Sequence, residues 1–461
     1  MTNCSKQPVV ILGAGPTGLG AAHGLHAAGF SNWLLLEREN TPGGLSRSFR
    51  DEHGFTWDIG GHVIFSHYDE FTGVLDSLFE PGAWLGHVRE CWIRIRERWV
   101  PYPFQNNIRY LPTADLMTCI EGLIEAAIER KGTPFAHFGD FARRTFGLGI
   151  ANLFMLPYNW KVWAYRPEQL DASWIAERVS VPDPVRVVRN VIMQQDDVDW
   201  GPNSRFRFPA KGGTGAIWSA LAGRLPCECL SYQSEAVAID TDARCIHCAD
   251  GRQHRYSTLI STIPLDRLAS ITGHSALISL ASELLHSSVI LVGVALNGHA
   301  PPHVEKKCWM YFPEPNLPFY RVTHFSRYSH SNVDDINIHW SLMAEVSESP
   351  EKMADASTVV PQTIDGLIRA GLVEGTDQVH HTWQYRAEYG YPTPSLGRNA
   401  ILRELLPKLE AAGIFSRGRF GTWLYEVGNM DHAFMQGVEA ARRMLTGADE
   451  PTLAGTKLLQ P

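Results

Sequence analysis

Three glycines near the start of the chain, Gly13, Gly15 and Gly18 in Gly13-Ala14-Gly15-Pro16-Thr17-Gly18, have the spacing that lets a backbone close on a pyrophosphate. In such a loop Gly13 makes the tight turn, Gly15 lets the chain approach the ligand, and Gly18 lets the next helix pack on its strand. Thr17 lies in the same turn and belongs with this set. The free N–H groups of the helix start would face phosphate oxygens. Glu37 follows at the spacing of the acid that accepts ribose hydroxyls. The supporting elements are also legible: an apolar strand over 9–12, a small-residue helix over 19–28 and a strand over 33–36. A glycine turn that only packed a helix on a sheet would give Glu37 no purpose, so the pattern points to a dinucleotide.

Gly43, Gly44 and Leu45, in Thr41-Pro42-Gly43-Gly44-Leu45-Ser46, resemble the second glycine loop of the large flavoprotein group that includes amine oxidases. That resemblance implies FAD rather than NAD. Gly60 and Gly61, in Asp58-Ile59-Gly60-Gly61-His62, form a third glycine-dense turn, which read alone fits an ordinary β-turn equally well. Near the other end, Gly428-Asn429-Met430-Asp431-His432 opens a last helix to about 445. With Arg417-Gly418-Arg419-Phe420-Gly421 it would bring another helix N-terminus to the flavin, making the FAD domain discontinuous.

The 461 residues exceed what one core needs, and the 44% hydrophobic and 20% charged shares are those of a globular protein. A net charge of −8 argues against a nucleic-acid partner, which needs a basic face. No stretch approaches the apolar length of a membrane helix, so no membrane insertion is expected and a cytoplasmic location fits. The eight cysteines, Cys4 included, are too sparse for a disulfide framework. Cys227, Cys229, Cys245 and Cys248 could be read as a zinc site, but a hairpin near 239–248 would send Cys245 and Cys248 to opposite faces, so no metal ligand is assigned. Helical pattern runs over 113–132, 138–145 and 168–179, and strand pattern over 289–296, 308–312, 319–325 and 336–344.

Longer motifs carry a family resemblance. They include Gly60-Gly61-His62-Val63-Ile64-Phe65-Ser66-His67-Tyr68, Trp99-Val100-Pro101-Tyr102-Pro103-Phe104-Gln105-Asn106-Asn107, Tyr158-Asn159-Trp160-Lys161-Val162-Trp163 and Trp200-Gly201-Pro202-Asn203. Further matches are Phe206-Arg207-Phe208-Pro209, Phe319-Tyr320-Arg321, Gly390-Tyr391-Pro392-Thr393-Pro394 and Tyr425-Glu426-Val427-Gly428-Asn429. Over about 8–450 the chain resembles UDP-galactopyranose mutases of the eukaryotic-type branch. The resemblance implies an α/β fold, with a Rossmann-like FAD-binding domain, an inserted helical domain and a twisted antiparallel β-sheet domain. The implied division is 1–88, 198–288 and 410–461 for the FAD domain, 109–185 for the helical domain, and 89–108, 186–197 and 289–409 for the sheet domain. It also implies an isomerase that interconverts UDP-galactopyranose and UDP-galactofuranose, with N5 of reduced flavin attacking the anomeric carbon as UDP leaves.

By the same resemblance Arg321, Tyr311, Tyr391 and Tyr425 hold the diphosphate, a task suited to charge-assisted and hydroxyl hydrogen bonds. Read without it, these tyrosines are interface core with satisfied hydroxyls. Tyr102, Phe104, Gln105, Phe154, Asn159 and Trp163 match the uridine positions, and Trp309 joins the substrate set. Arg178 matches a loop that closes over substrate, Asn203 its partner loop, and Arg419 a position near sugar and flavin. His62 matches a position beside the flavin ring and Val237 one at the cofactor. Arg89 matches a position involved in accepting NAD(P)H, which makes NADPH or NADH the expected reductant. Cys91, Leu424 and Met430 depart from the more polar residues expected there. Three readings compete: the same chemistry on another UDP-sugar; an FAD amine oxidase, which would leave Arg321 and its tyrosines without purpose; and a catalytically dead flavin-binding module, which would not need the full set of diphosphate ligands. The oligomeric state is left unassigned.

Overall fold

The computed structural model describes residues 7–129, 132–175 and 178–456, so Cys4 lies outside the described residues. A parallel five-stranded sheet has the order Ile414–Ser416, Thr258–Ser261, Val9–Leu12, Trp33–Leu36 and Leu230–Ser231. All four residues of Val9–Leu12 are buried, which is why the strand reads as an unbroken apolar run rather than an alternation. Its carboxyl end leads into Gly13, and Gly13 N–H donates to Leu36 O at 2.8 Å, so the glycine turn and Glu37 lie side by side.

The first helix is Pro16–Ala27, beginning earlier than the apolar pattern because Pro16 can occupy the first turn without a missing bond. It crosses the last helix, Met430–Thr446, at very close range. A Cβ on Gly437 would come within 1.9 Å of Thr17 O, and one on Gly20 within 2.2 Å of Phe434 O. Glycine at the crossing therefore lets the N-termini of both helices face the same space.

A seven-stranded sheet has the order Val379–Pro392, His286–Asn297, His339–Glu348, Arg321–His324, Trp309–Tyr311, Cys91–Ile95 and Arg98–Pro101. It is antiparallel except where Trp309–Tyr311 runs parallel to Cys91–Ile95. The four strands expected from the sequence all fall in it. Its longest strand, Val379–Pro392, does not follow an apolar pattern, because it is an edge strand with little buried surface. Cys245–Cys248 pairs with Ala236–Asp240 as a hairpin, and the alternation of the strand separates Cys245 from Cys248.

The helical part contains Thr113–Ile128, Phe138–Ile150, Leu156–Trp163 and Pro184–Met193, around a core that includes Phe104, Phe141, Phe154, Trp163 and Trp174. One expectation fails here. No α-helix forms over 168–179 among the described residues; Pro167–Gln169 is a single 3-10 turn. Asp171 Oδ1 accepts from Ser173 N at 2.5 Å, Phe138 N donates to Leu170 O and Asp171 N donates to Pro394 O, so the backbone bonds locally and across the fold instead of along a helix. The helix starts later, where Asp183 caps it by accepting from Val185 N and Arg186 N and Pro184 takes the first turn. Val187 of that helix enters the helical core, although 186–197 reads from the sequence as part of the sheet domain. Among the described residues no helix is long and apolar enough to cross a membrane.

Candidate active site

A cavity of about 550 Å³ runs from the carboxyl end of the parallel sheet to the face of the large sheet. Its first half is built by glycine. Gly44, at φ +53, approaches Gly15 so closely that a Cβ on Gly44 would lie 3.1 Å from Gly15 Cα. The two glycine loops thus form one cradle, bounded by the start of the Pro16–Ala27 helix. Glu37 is buried beside it; its Oε2 accepts from Ala14 N at 2.6 Å and its Oε1 from Glu39 N at 2.9 Å. Each carboxylate oxygen keeps a lone pair for a ribose hydroxyl. Gly428, Asn429, Met430 and Asp431 bring in the start of the last helix, whose dipole favours the buried Asp431 carboxylate.

Midway along the cavity stand Gly60, Gly61 and His62. Burial pushes the His62 imidazole down to about 4, so the ring is neutral at physiological pH. Its Nδ1 is buried without a hydrogen-bond partner among the described residues. An orphaned ring nitrogen beside a pyrophosphate cradle and a ribose acid fits a flavin dinucleotide, with its ring system at His62.

The far end is cationic. Arg321 forms a two-pronged pair with Glu345, Nε to Oε1 and Nη2 to Oε2, both at 2.8 Å. The register of the sheet sets this pair, since Arg321 lies directly opposite Glu345. Glu345 also accepts from Tyr320 Oη at 2.5 Å and from Gly61 N at 3.2 Å. Burial alone would raise this carboxyl, but the adjacent guanidinium together with the hydrogen bonds from Tyr320 and Gly61 N–H outweighs it and holds Glu345 below the usual carboxylate range. One carboxylate thereby fixes Arg321, Tyr320 and the Gly61 backbone together.

Arg178 and Arg419 differ from Arg321 in having no ion pair among the described residues. Arg178 donates to Asn429 Oδ1 at 2.9 Å and Glu426 O at 2.5 Å, and lies over the Tyr425 ring at 5.4 Å. Arg419 donates to Gly428 O at 3.1 Å and Gly390 O at 3.3 Å, over Tyr391 at 5.0 Å. Tyr311 is half-buried and accepts from Trp309 Nε1 at 3.0 Å. Burial raises the phenols of Tyr311 and Tyr391, which therefore stay neutral and able to donate. Two guanidiniums that hydrogen-bond to neutral oxygens and lie over the Tyr391 and Tyr425 rings form a pocket suited to an anion.

Residues 11–78 match the family described as an NAD(P)-binding Rossmann-like domain. Over nearly its full length the chain is 47% identical to a protein whose structure is described as reduced UDP-galactopyranose mutase, with a TM-score of 0.95, covering 97% of this chain and 96% of that one. The chain belongs to the UDP-galactopyranose mutase family. It is also similar in fold, at 13% identity and a TM-score of 0.65, to cyclohexylamine oxidase from Brevibacterium oxydans, covering 95% of this chain and 98% of that one. A fatty acid isomerase from P. acnes shares the fold at 16% identity and a TM-score of 0.64, covering 95% and 99%. This chain is an α/β isomerase of the mutase family and a flavoprotein.

Of the residues singled out from the sequence, the cavity gathers Gly13, Gly15, Thr17, Glu37, Gly44, Leu45, Gly60, Gly61, His62, Arg178, Asn203, Trp309, Tyr311, Arg321, Tyr391, Arg419 and Tyr425, with the start of the last helix. Gly18 and Gly43 shape the loops from behind: a Cβ on Gly18 would fall 1.8 Å from Gly13 O, and Gly43 sits at φ +113. The uridine set does not line the cavity. Gln105 Nε2 donates to Ser180 O at 2.6 Å, and Asn159 Oδ1 accepts from Trp163 Nε1 at 3.1 Å. Phe104 stacks on Phe154 at 4.7 Å, and Tyr102 lies against Tyr311 and Trp200. Arg89 is also spent: it donates to Asn203 Oδ1, Val198 O and Trp200 O, and covers the Tyr102 ring at 5.0 Å. Val237 is exposed, and it is its neighbour Ala236 that lines the cavity. Of the departures, Cys91 and Leu424 are buried in cores and Met430 reaches the cavity.

Glu345 escaped the sequence reading. The strand expected over 336–344 stops one residue short of it, yet a lone acid inside Leu342-Met343-Ala344-Glu345-Val346 was a signal, because a carboxylate in a buried strand needs a cation.

Proposed function

We propose that this protein interconverts UDP-galactopyranose and UDP-galactofuranose, with FAD in the glycine cradle and the sugar nucleotide at the cationic end. The observation that carries the reading is the placement of Arg178 and Arg419, without carboxylate partners among the described residues, over the Tyr391 and Tyr425 rings at the far end of the cleft from the glycine cradle. The glycine cradle, Glu37 and His62 would hold the flavin, which when reduced would supply an electron-rich N5 as nucleophile toward the anomeric carbon. The protein supplies orientation and charge. Arg321, fixed by Glu345, and Arg178 hold the diphosphate as negative charge grows on it, while Tyr311, Tyr391 and Tyr425 donate hydrogen bonds. His62, neutral, packs beside the flavin without drawing off its electron density. The uridine falls to Tyr102, Phe104, Gln105, Phe154, Asn159 and Trp163, which must exchange their present internal contacts for the base. Arg89, Asn203 and Val237 belong to the same reading, with NADPH or NADH as reductant and the segments 1–88, 198–288 and 410–461 as the FAD domain.

Purified protein is expected to be yellow and to convert UDP-galactofuranose to UDP-galactopyranose only after reduction, with no reductant consumed per turnover. Chromatography of products from dithionite-treated and air-oxidised enzyme measures this. Equal activity in the oxidised enzyme would refute it, and peroxide formed in step with substrate loss would point to an oxidase instead.

Arg178→Ala is expected to lower turnover by roughly 30- to 1,000-fold, the cost of a charged hydrogen bond lost from a desolvated site. Its present partners are a backbone carbonyl and an amide, so its removal leaves no buried charge unpaired and the fold stands. Steady-state kinetics at saturating substrate, with the melting temperature as control, decides it; unchanged kcat would remove Arg178 from the site.

A further inference from the structure

Away from the cleft, three histidines gather where the turn between strands Ser48–Arg50 and Thr56–Asp58 meets the edge strand Val379–Pro392. One ring nitrogen from each of His53, His380 and His381 lies within 4.8 Å of the other two. The His53 and His381 rings are 4.2 Å apart between centroids, and His380 and His381 5.1 Å. A fourth ring, His339, stacks on His380 at 4.5 Å.

Two features set this group apart from a chance gathering of surface imidazoles. His381 Nε2 sits 2.8 Å from Asp51 Oδ2, while its Nδ1 is buried with no hydrogen-bond partner among the described residues. Asp51 is itself held by Trp57 Nε1 at 2.8 Å and by the N–H groups of His53 and Phe55, at 3.0 and 2.9 Å. Likewise His339 Nδ1 lies 2.7 Å from Asp334 Oδ1. A carboxylate on the second nitrogen of an imidazole is the arrangement that fixes tautomer and ring orientation at metal centres.

We propose that His53, His380 and His381 bind one divalent transition-metal ion of the zinc class, with Asp51 orienting His381. An all-imidazole set selects zinc, copper or nickel over magnesium or calcium, which take oxygen ligands. With metal–nitrogen bonds of about 2.0–2.1 Å the nitrogens must draw in to about 3.3 Å from one another, and the exposed rings of His53 and His380 are free to do so. Water would complete a tetrahedron. None of the three lines the cleft, so the ion's role is structural. It would tie the turn to the edge strand, and both continue to the active site: the first through Asp58 into Gly60-Gly61-His62, the second to Gly390 and Tyr391.

Zinc chloride titrated calorimetrically into chelator-treated, FAD-loaded protein is expected to bind at one ion per chain, with a Kd of about 10 μM or tighter. At about a hundredfold excess over Kd the melting temperature should rise by about 2–3 °C. Cobalt(II) in its place should give the intense visible bands of a tetrahedral site. His53→Ala and His380→Ala, both at exposed positions, should each weaken binding about tenfold or more, and Asp51→Asn by about tenfold. Absence of saturable binding up to millimolar zinc, or stoichiometric binding that survives in the His53→Ala/His380→Ala double variant, would overturn the assignment.

Discussion

Arg321→Ala is expected to lose UDP binding by roughly 30- to 1,000-fold and to lose stability at the same time. The two losses have different origins. The first comes from a charged hydrogen bond withdrawn from the diphosphate in the proposed binding mode. The second comes from Glu345, whose side chain is 2% exposed and would be left as a buried carboxylate without its cation, a change that costs about 3–5 kcal/mol. They can be separated by a second substitution. Arg321→Ala/Glu345→Gln removes the stranded charge, so its melting temperature should recover toward wild type while UDP affinity stays low. Glu345→Gln alone should keep the arginine but loosen its geometry, raising KM for the UDP-sugar and weakening the hold on the Gly61 N–H. Fluorescence or calorimetric UDP titration beside thermal melts reads both quantities. Wild-type UDP affinity in the double variant would take Arg321 out of the diphosphate site.

Gly15→Ala is expected to leave a folded protein that has lost most of its FAD. The backbone at Gly15 is extended, at φ −74 and ψ −178, which alanine adopts without strain. A Cβ there meets nothing nearer than Gly44 Cα at 3.8 Å. The methyl would instead occupy the space through which the pyrophosphate approaches the backbone, at a cost of about 1.5–3 kcal/mol, or roughly 10- to 150-fold in affinity. Gly18→Ala makes the contrast, since its Cβ would collide with Gly13 O at 1.8 Å and disrupt the strand–helix unit itself. The ratio of flavin to protein absorbance, beside far-ultraviolet circular dichroism, distinguishes the two. If Gly15→Ala keeps full FAD occupancy, the cradle formed by the two glycine loops is not the phosphate site.

The sequence was most legible where chemistry is local. The turn at Gly13, the close approach at Gly15 and the acid at Glu37 are each imposed by a few neighbouring residues, and the fold places them as their spacing requires. The start of the last helix was equally legible, because capping and first-turn residues act within one turn. Apolar strands announced themselves for the same reason. The failed helix over 168–179 marks the limit: its periodicity was acceptable, but Asp171 and Leu170 are held by Ser173, Phe138 and Pro394, and tertiary hydrogen bonds overrode propensity.

By itself the sequence determined the glycine loops, the mixture of element types and the family, since long motifs with fixed spacing carry all three. Only the tertiary structure decided how the cations are partnered. Arg178, Arg321 and Arg419 look alike in sequence, yet strand register puts Glu345 opposite Arg321 and leaves the other two facing neutral oxygens. Nor could the sequence bring His53 beside His380 and His381, or set Asp51 against His381 across a separation of 330 positions. Charge pairing and ligand geometry depend on distances of a few ångströms, and those distances are fixed by which strands and turns pack together, not by position along the chain.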